Sequence, residues 1–105
     1  MSRRVVCIED EQDVIDLIRL ILERQGYEFI EAHNGLEGMD LVERTAPDVV
    51  LLDLMMPNMD GWDVYDQLHE NPVTKDIPII VVTARTQYDP RVTQMRVTNS
   101  EYLVT

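Results

Sequence analysis

The sequence holds one cysteine, one lysine and one tryptophan, and positive charge is scarce throughout. A single thiol, Cys7, excludes an internal disulfide and gives neither a cysteine metal site nor a redox pair. Set inside the apolar run Val5-Val6-Cys7-Ile8, it reads as a small buried hydrophobe of a strand. The 9 Lys and Arg residues face 20 Asp and Glu, a formal net charge of −11, and no basic stripe offsets it. A nucleic-acid duplex repels such a surface, so direct nucleic-acid binding is not expected. No apolar run approaches the roughly 18 residues that span a bilayer, and Met1-Ser2-Arg3-Arg4 leads into no signal-like apolar stretch. A cytoplasmic protein with no membrane segment is expected.

What is present suffices for one core. With 105 residues, 45% of them hydrophobic, the chain reads as a single domain over 1–105. Three short runs, Val5–Ile8, Val49–Leu52 and Ile79–Val82, are apolar without alternation, as strands buried on both faces are. Between the first two, Val14, Leu17, Ile18 and Ile21 recur at helical spacing, and Gly26 supplies a stop. Glu28–Ala32 reads as a strand, and Leu36, Met39, Leu41 and Val42 mark a second helix ending before Pro47. Trp62, Val64, Tyr65 and Leu68 give a third helix, stopped at Asn71-Pro72. A weaker helical pattern runs from about Pro90 to Val97, and Glu101–Val104 closes the chain as a fifth strand. Alternating strands and helices in this order predict an α/β fold with a parallel sheet and helices on both faces. In such sheets the functional site lies outside the carboxyl ends of the strands.

Those ends carry chemistry. The first apolar run leads into Glu9-Asp10-Glu11, the third into Asp53, and the fourth into Thr83. Carboxylates brought together from neighbouring strands repel one another unless a hard cation joins them. An all-oxygen set of this kind suits Mg²⁺, which takes one or two protein carboxylates and keeps its waters. On a rigid strand end, Asp53 can act as a nucleophile. Glu9 and Asp10 can hold the metal, Thr83 offers a hydroxyl to a phosphoryl oxygen, and Met55 offers a backbone carbonyl. A lone Asp at a strand end is more often a cap or turn residue, and that reading holds for Asp13, Asp48, Asp76 and Asp89. Trp62 reads as a partly buried helix residue rather than a binding aromatic, and His33 and His69 as surface residues. It is the conjunction of Glu9-Asp10, Asp53 and Thr83 that singles out a site.

Over nearly its whole length the sequence resembles the receiver domains of two-component response regulators. The matching pieces are Val6-Cys7-Ile8-Glu9-Asp10-Glu11, Val49 through Pro57 around Asp53, Met59-Asp60-Gly61, and Ile80-Val81-Val82-Thr83-Ala84. The resemblance implies a flavodoxin-like, doubly wound fold whose five parallel strands run in the order 2-1-3-4-5. It implies that Asp53 accepts a phosphoryl group from a sensor histidine kinase, a phosphotransfer protein or a small phosphodonor. Glu9, Asp10 and the Met55 carbonyl would complete the Mg²⁺ site, Thr83 would be the switch hydroxyl and Tyr102 the switch aromatic. A downstream effector domain or protein would read the state.

Two departures bear on function. The lysine that the family places after the fifth strand falls on Thr105: either threonine replaces it, or the register shifts by one and the lysine would lie beyond Thr105. The only lysine, Lys75, precedes the fourth strand and is no substitute. A hydroxyl cannot offset a phosphoryl charge, and charge-assisted bonds are the stronger kind, so phosphorylation is expected to couple poorly to the switch. The sequence also stops before a last helix, so apolar surface of the first and fifth strands is expected to be exposed: either the chain is a fragment, or a partner or a second copy covers that face. A phosphatase using an aspartyl-phosphate would need an acid where Met55 stands. A flavin carrier would need a neutral phosphate loop where Glu9-Asp10-Glu11 stands. The serious rival is a pseudo-receiver, the same fold used as a phosphorylation-independent interaction module.

Overall fold

The computed structural model describes residues 3–54, 56, 61–83 and 100–104, with Thr83 and the last strand described by their backbone alone. Strand and helix alternate as β1 (Arg4–Ile8), α1 (Gln12–Arg24), β2 (Glu28–Ala32), α2 (Gly35–Thr45), β3 (Val49–Asp53), α3 (Gly61–Glu70), β4 (Ile79–Thr83) and β5 (Ser100–Val104). The five strands form one sheet in the order β2-β1-β3-β4-β5, and every neighbouring pair is parallel. This is the expected topology. The helix expected between Pro90 and Val97 lies outside the described residues.

Local chemistry fixes the ends of the helices. Past the C-cap Gln25 of α1, Gly26 takes φ +87°, a left-handed conformation that glycine adopts without a Cβ penalty. The Gly26 N–H then donates to the Glu23 carbonyl at 3.0 Å and the Tyr27 N–H to the Leu22 carbonyl at 3.1 Å. This Schellman arrangement satisfies carbonyls that the helix end would leave bare. At the start of α2 the Asn34 side chain accepts from the Glu37 N–H at 2.9 Å, which is why the Asn-Gly turn opens a helix.

Alternation along the strands divides the core between two faces. On one, Val6, Ile8, Val50, Leu52, Ile79 and Val81 are buried beneath Val42 of α2 and Val64, Tyr65 and Leu68 of α3. On the other, α1 packs against β2, and its Arg19 guanidinium sits 5.1 Å from the Phe29 ring centroid while pairing with Glu31.

Two expectations need correction. The stripe Val14, Leu17, Ile18, Ile21 is not the one that α1 buries: Ile15 is fully buried, whereas Leu17 and Ile21 are 60% and 53% exposed. Seven apolar residues lie between Val14 and Leu22, so two helical stripes overlap, and the one through Ile15, Ile18 and Leu22 meets the sheet. Nor is β1 the exposed strand: Val5 and Cys7 are buried on the α1 face. The half-buried residues of that face are instead Val49 and Leu51 of β3 and Ile80 and Val82 of β4, so these strands alternate rather than being buried throughout. Among the described residues no helix lies over them. The side chains of β5 lie outside the description.

The stripe assignment has a direct test. Ile15→Ala removes a fully buried side chain and is expected to cost about 2–5 kcal/mol, while Leu17→Ala is expected to stay within about 0.5 kcal/mol. Urea unfolding followed by circular dichroism measures both, and equal losses would return α1 to the stripe through Leu17.

Candidate functional site

The register decides which side chains meet. Ile8 pairs with Leu52, so Glu9, one residue beyond, stands beside Asp53, the last residue of β3. The Glu9 N–H still donates to the Ala32 carbonyl at 3.0 Å, extending the β1–β2 ladder and fixing the backbone there. Asp53 pairs in turn with Val82, which places the Thr83 backbone just past it at the end of β4, paired with Val104.

Glu9, Asp10 and Asp53 converge as the sequence suggests. Each offers a carboxylate oxygen, and the three oxygens lie within 4.8 Å of one another. Glu9 is buried at 7% exposure, and Asp10 and Asp53 are half-buried. The Asp10 N–H donates to Glu9 Oε2 at 2.9 Å, a bond that holds the Glu9 carboxyl over the start of the loop. Burial, then hydrogen bonding and charge repulsion from Asp53, push the Glu9 carboxyl up from 4.5 to about 9. A cation-free pocket of this kind therefore keeps a proton at neutral pH. Its oxygen donors are those that a hard divalent cation takes.

Gly61 sets the spacing below the site. A Cβ on it would lie 2.4 Å from the Leu54 Cα and 2.9 Å from the Asp53 carbonyl oxygen, both backbone atoms that cannot give way. Only glycine lets α3 start this close to the strand end. Trp62 follows, 7% exposed and edge-on to Tyr65 at 5.7 Å between ring centroids, a buried helix residue as expected. Cys7, beneath the pocket, is buried and its thiol is pushed up to about 12, chiefly by burial, so it is an inert hydrophobe.

Other site residues fall differently. Met55 and Thr105 lie outside the described residues, and so do the side chains of Thr83 and Tyr102; the Tyr102 backbone pairs with Val81. His33 is exposed, with Nε2 2.8 Å from Glu31, while His69 is half-buried against Tyr65 at 4.4 Å. Sequence reasoning missed the cluster at the end of β2, where Glu31 gathers Arg19, Gln12 and His33. His33 is two residues from Glu31, but Arg19 and Gln12 are 12 and 19 residues away on α1, and no short-range spacing betrays those two.

Fold and site together define a receiver domain. The family model described as the response regulator receiver domain matches residues 5–104, and the chain belongs to that family. Among curated relatives, the response regulator MprA of Mycobacterium bovis is 36% identical over 103 residues, covering 98% of this chain and 44% of MprA. The chain thus spans less than half the length of that relative. Among solved structures, the N-terminal domain of a response regulator receiver protein from Methanoculleus marisnigri is 31% identical with a TM-score of 0.89, covering 97% of this chain and 83% of that one. The Mn(2+)-bound form of response regulator Rcp1 is 25% identical with a TM-score of 0.82, covering 98% and 81%. Among the described residues, no helix is long and apolar enough to cross a membrane.

The raised Glu9 carboxyl gives a pH signature. Above pH 4.5 the unfolded chain has released this proton and the folded chain holds it until about pH 9. The folded state binds more protons in that window, so stability falls as pH rises. Urea unfolding in a chelator is expected to show this decline from pH 4.5 towards 9, and Glu9→Gln to flatten it. An unchanged slope in Glu9→Gln would assign the proton elsewhere.

Proposed function

We propose that this chain is a working phosphoryl-accepting receiver, with Asp53 as the acceptor. The observation that carries the reading is the convergence of Glu9, Asp10 and Asp53 at the carboxyl ends of β1 and β3 in a member of the receiver family. The donor is a phosphohistidine of a sensor kinase or phosphotransfer protein, or a small phosphodonor. An Asp53 carboxylate oxygen attacks phosphorus in line, the new O–P bond forms as the P–N bond breaks, and the leaving imidazole nitrogen keeps the electron pair and takes a proton from solvent.

Glu9, Asp10 and Asp53, with the Met55 backbone carbonyl, are the residues that would hold Mg²⁺. The bound ion supplies positive charge that offsets the pocket's carboxylates and the phosphoryl oxygens. The Mn(2+)-bound form of the similar Rcp1 supports a divalent cation here. The strand fixes the direction of the Asp53 carboxyl, and Gly61 keeps the backbone behind it close. Thr83 is assigned the switch hydroxyl and Tyr102 the switch aromatic, through which an effector domain or protein reads the state.

A second reading is a pseudo-receiver acting as an interaction module, in which the acid pocket would not take Mg²⁺. Buried Trp62, beside the loop after Asp53, separates the readings. Mg²⁺ titration is expected to change Trp62 emission, and a flat titration would favour the pseudo-receiver. With Mg²⁺ and acetyl phosphate, intact-mass measurement is expected to show one phosphoryl group on the wild type and none on Asp53→Asn. Labelling that survives in Asp53→Asn would overturn the acceptor assignment.

We also propose self-association through the α1 face of the sheet, where Val49, Leu51, Ile80 and Val82 are half-buried and Leu17, Leu20 and Ile21 of α1 are exposed. Light scattering is expected to show dimers that dissociate on dilution and that Leu20→Glu weakens. A monomer at every concentration would rule this out.

A further inference from the structure

On the sheet face opposite α1, helices α2 and α3 leave an open groove of about 520 Å³ between them. Leu36, Met39 and Leu68 form its apolar part, and Asp40, Glu43 and Glu70 its charged rim. Leu36 is 70% exposed, an unusual placement for a leucine beside polar turns, while Leu68 is buried at 3% and forms the base. Leu36, Met39, Asp40 and Glu43 are the i, i+3, i+4, i+7 stripe of α2, so the groove runs about 10 Å along that helix. At its far end the Asn71 amide reaches Glu43 at 3.5 Å and ties the two helices together. Arg44 pairs with Asp40 from outside the groove at 2.9 Å, and no lysine or arginine lines it. An apolar strip two helical turns long, rimmed by Glu43, Glu70 and an Asp40 already paired with Arg44, presents net negative charge to a partner.

We propose that this groove docks a cationic amphipathic helix of a partner protein. Its apolar residues, spaced i, i+4, i+7, would lie along Leu36, Met39 and Leu68, and its lysines or arginines would face Glu43 and Glu70. The exposed α1 of a second copy does not fit this groove, because Asp13, Asp16 and Glu23 flank its leucines and would meet the acidic rim. The helix-in-groove mode draws specificity from apolar anchors, and the charged rim sets the encounter rate and its salt dependence. Nothing in this proposal depends on phosphoryl chemistry at Asp53, which is not among the residues that line the groove.

The probe is a synthetic helical peptide with leucines at i, i+4 and i+7 and lysines at the flanking positions, titrated into the isotopically labelled full chain. Amide shifts are expected at residues of α2 and the last turn of α3. Leu36→Ser, and separately Glu43→Gln with Glu70→Gln, are each expected to weaken binding by roughly tenfold. These positions are exposed, and circular dichroism confirms that the variants fold. Asp13→Asn with Asp16→Asn removes as much charge from α1 and is expected to leave affinity unchanged. The proposal is overturned if the peptide does not bind. It is equally overturned if a scrambled peptide of the same composition binds as well, or if the α1 variant weakens binding as much as the groove variants do.

Discussion

The parallel ladder between β1 and β3 is the constraint on which the rest of this molecule depends. Because Ile8 pairs with Leu52, the residues that follow them emerge together, and both are acids. A shift of one residue in that register would carry Glu9 away from Asp53 and move every side chain of β1 to the opposite face of the sheet. The pattern that builds the core therefore also builds the pocket. Val6, Ile8, Val50 and Leu52 are all fully buried, and their packing holds three carboxyl groups closer than charge alone would allow.

That closeness sets fold against function in one place. Glu9 is buried at a site where an apolar residue or a partnered polar group would be more stable. The pocket relieves the conflict through a retained proton on Glu9 and the Asp10 N–H that donates to it. A cation bound at the same oxygens would have to displace that proton, and local strain of this sort is expected where a site rather than a core is being built.

The elements were readable because each announces itself over a short span. Apolar runs without alternation marked β1, β3 and β4 to within a residue, and Gly26 and Asn34 gave helix ends that their hydrogen bonds explain. The three acids of the pocket were readable because a parallel sheet brings strand ends together whatever their separation in sequence. What escaped was anything that depended on choosing among neighbours. With seven apolar residues in nine positions, α1 offered two stripes, and only docking on the sheet selects Ile15. Apolar strands were legible as strands, but which face of β3 and β4 lacks cover is a property of the assembled layers. The Arg19–Glu31–His33 cluster likewise exists only once α1 lies beside β2.

Gly61 is the feature whose effect reaches furthest from its own position. Side chains ordinarily act as spacers between a helix and the strand beneath it, and spacers can slide or change rotamer. Here there is none, because the start of α3 rests on the backbone of Asp53 and Leu54. The contact works like a hard stop in a mechanism: a displacement of the strand end has no soft layer in which to dissipate. It passes directly to the first turn of α3, and Trp62 is the next residue to feel it.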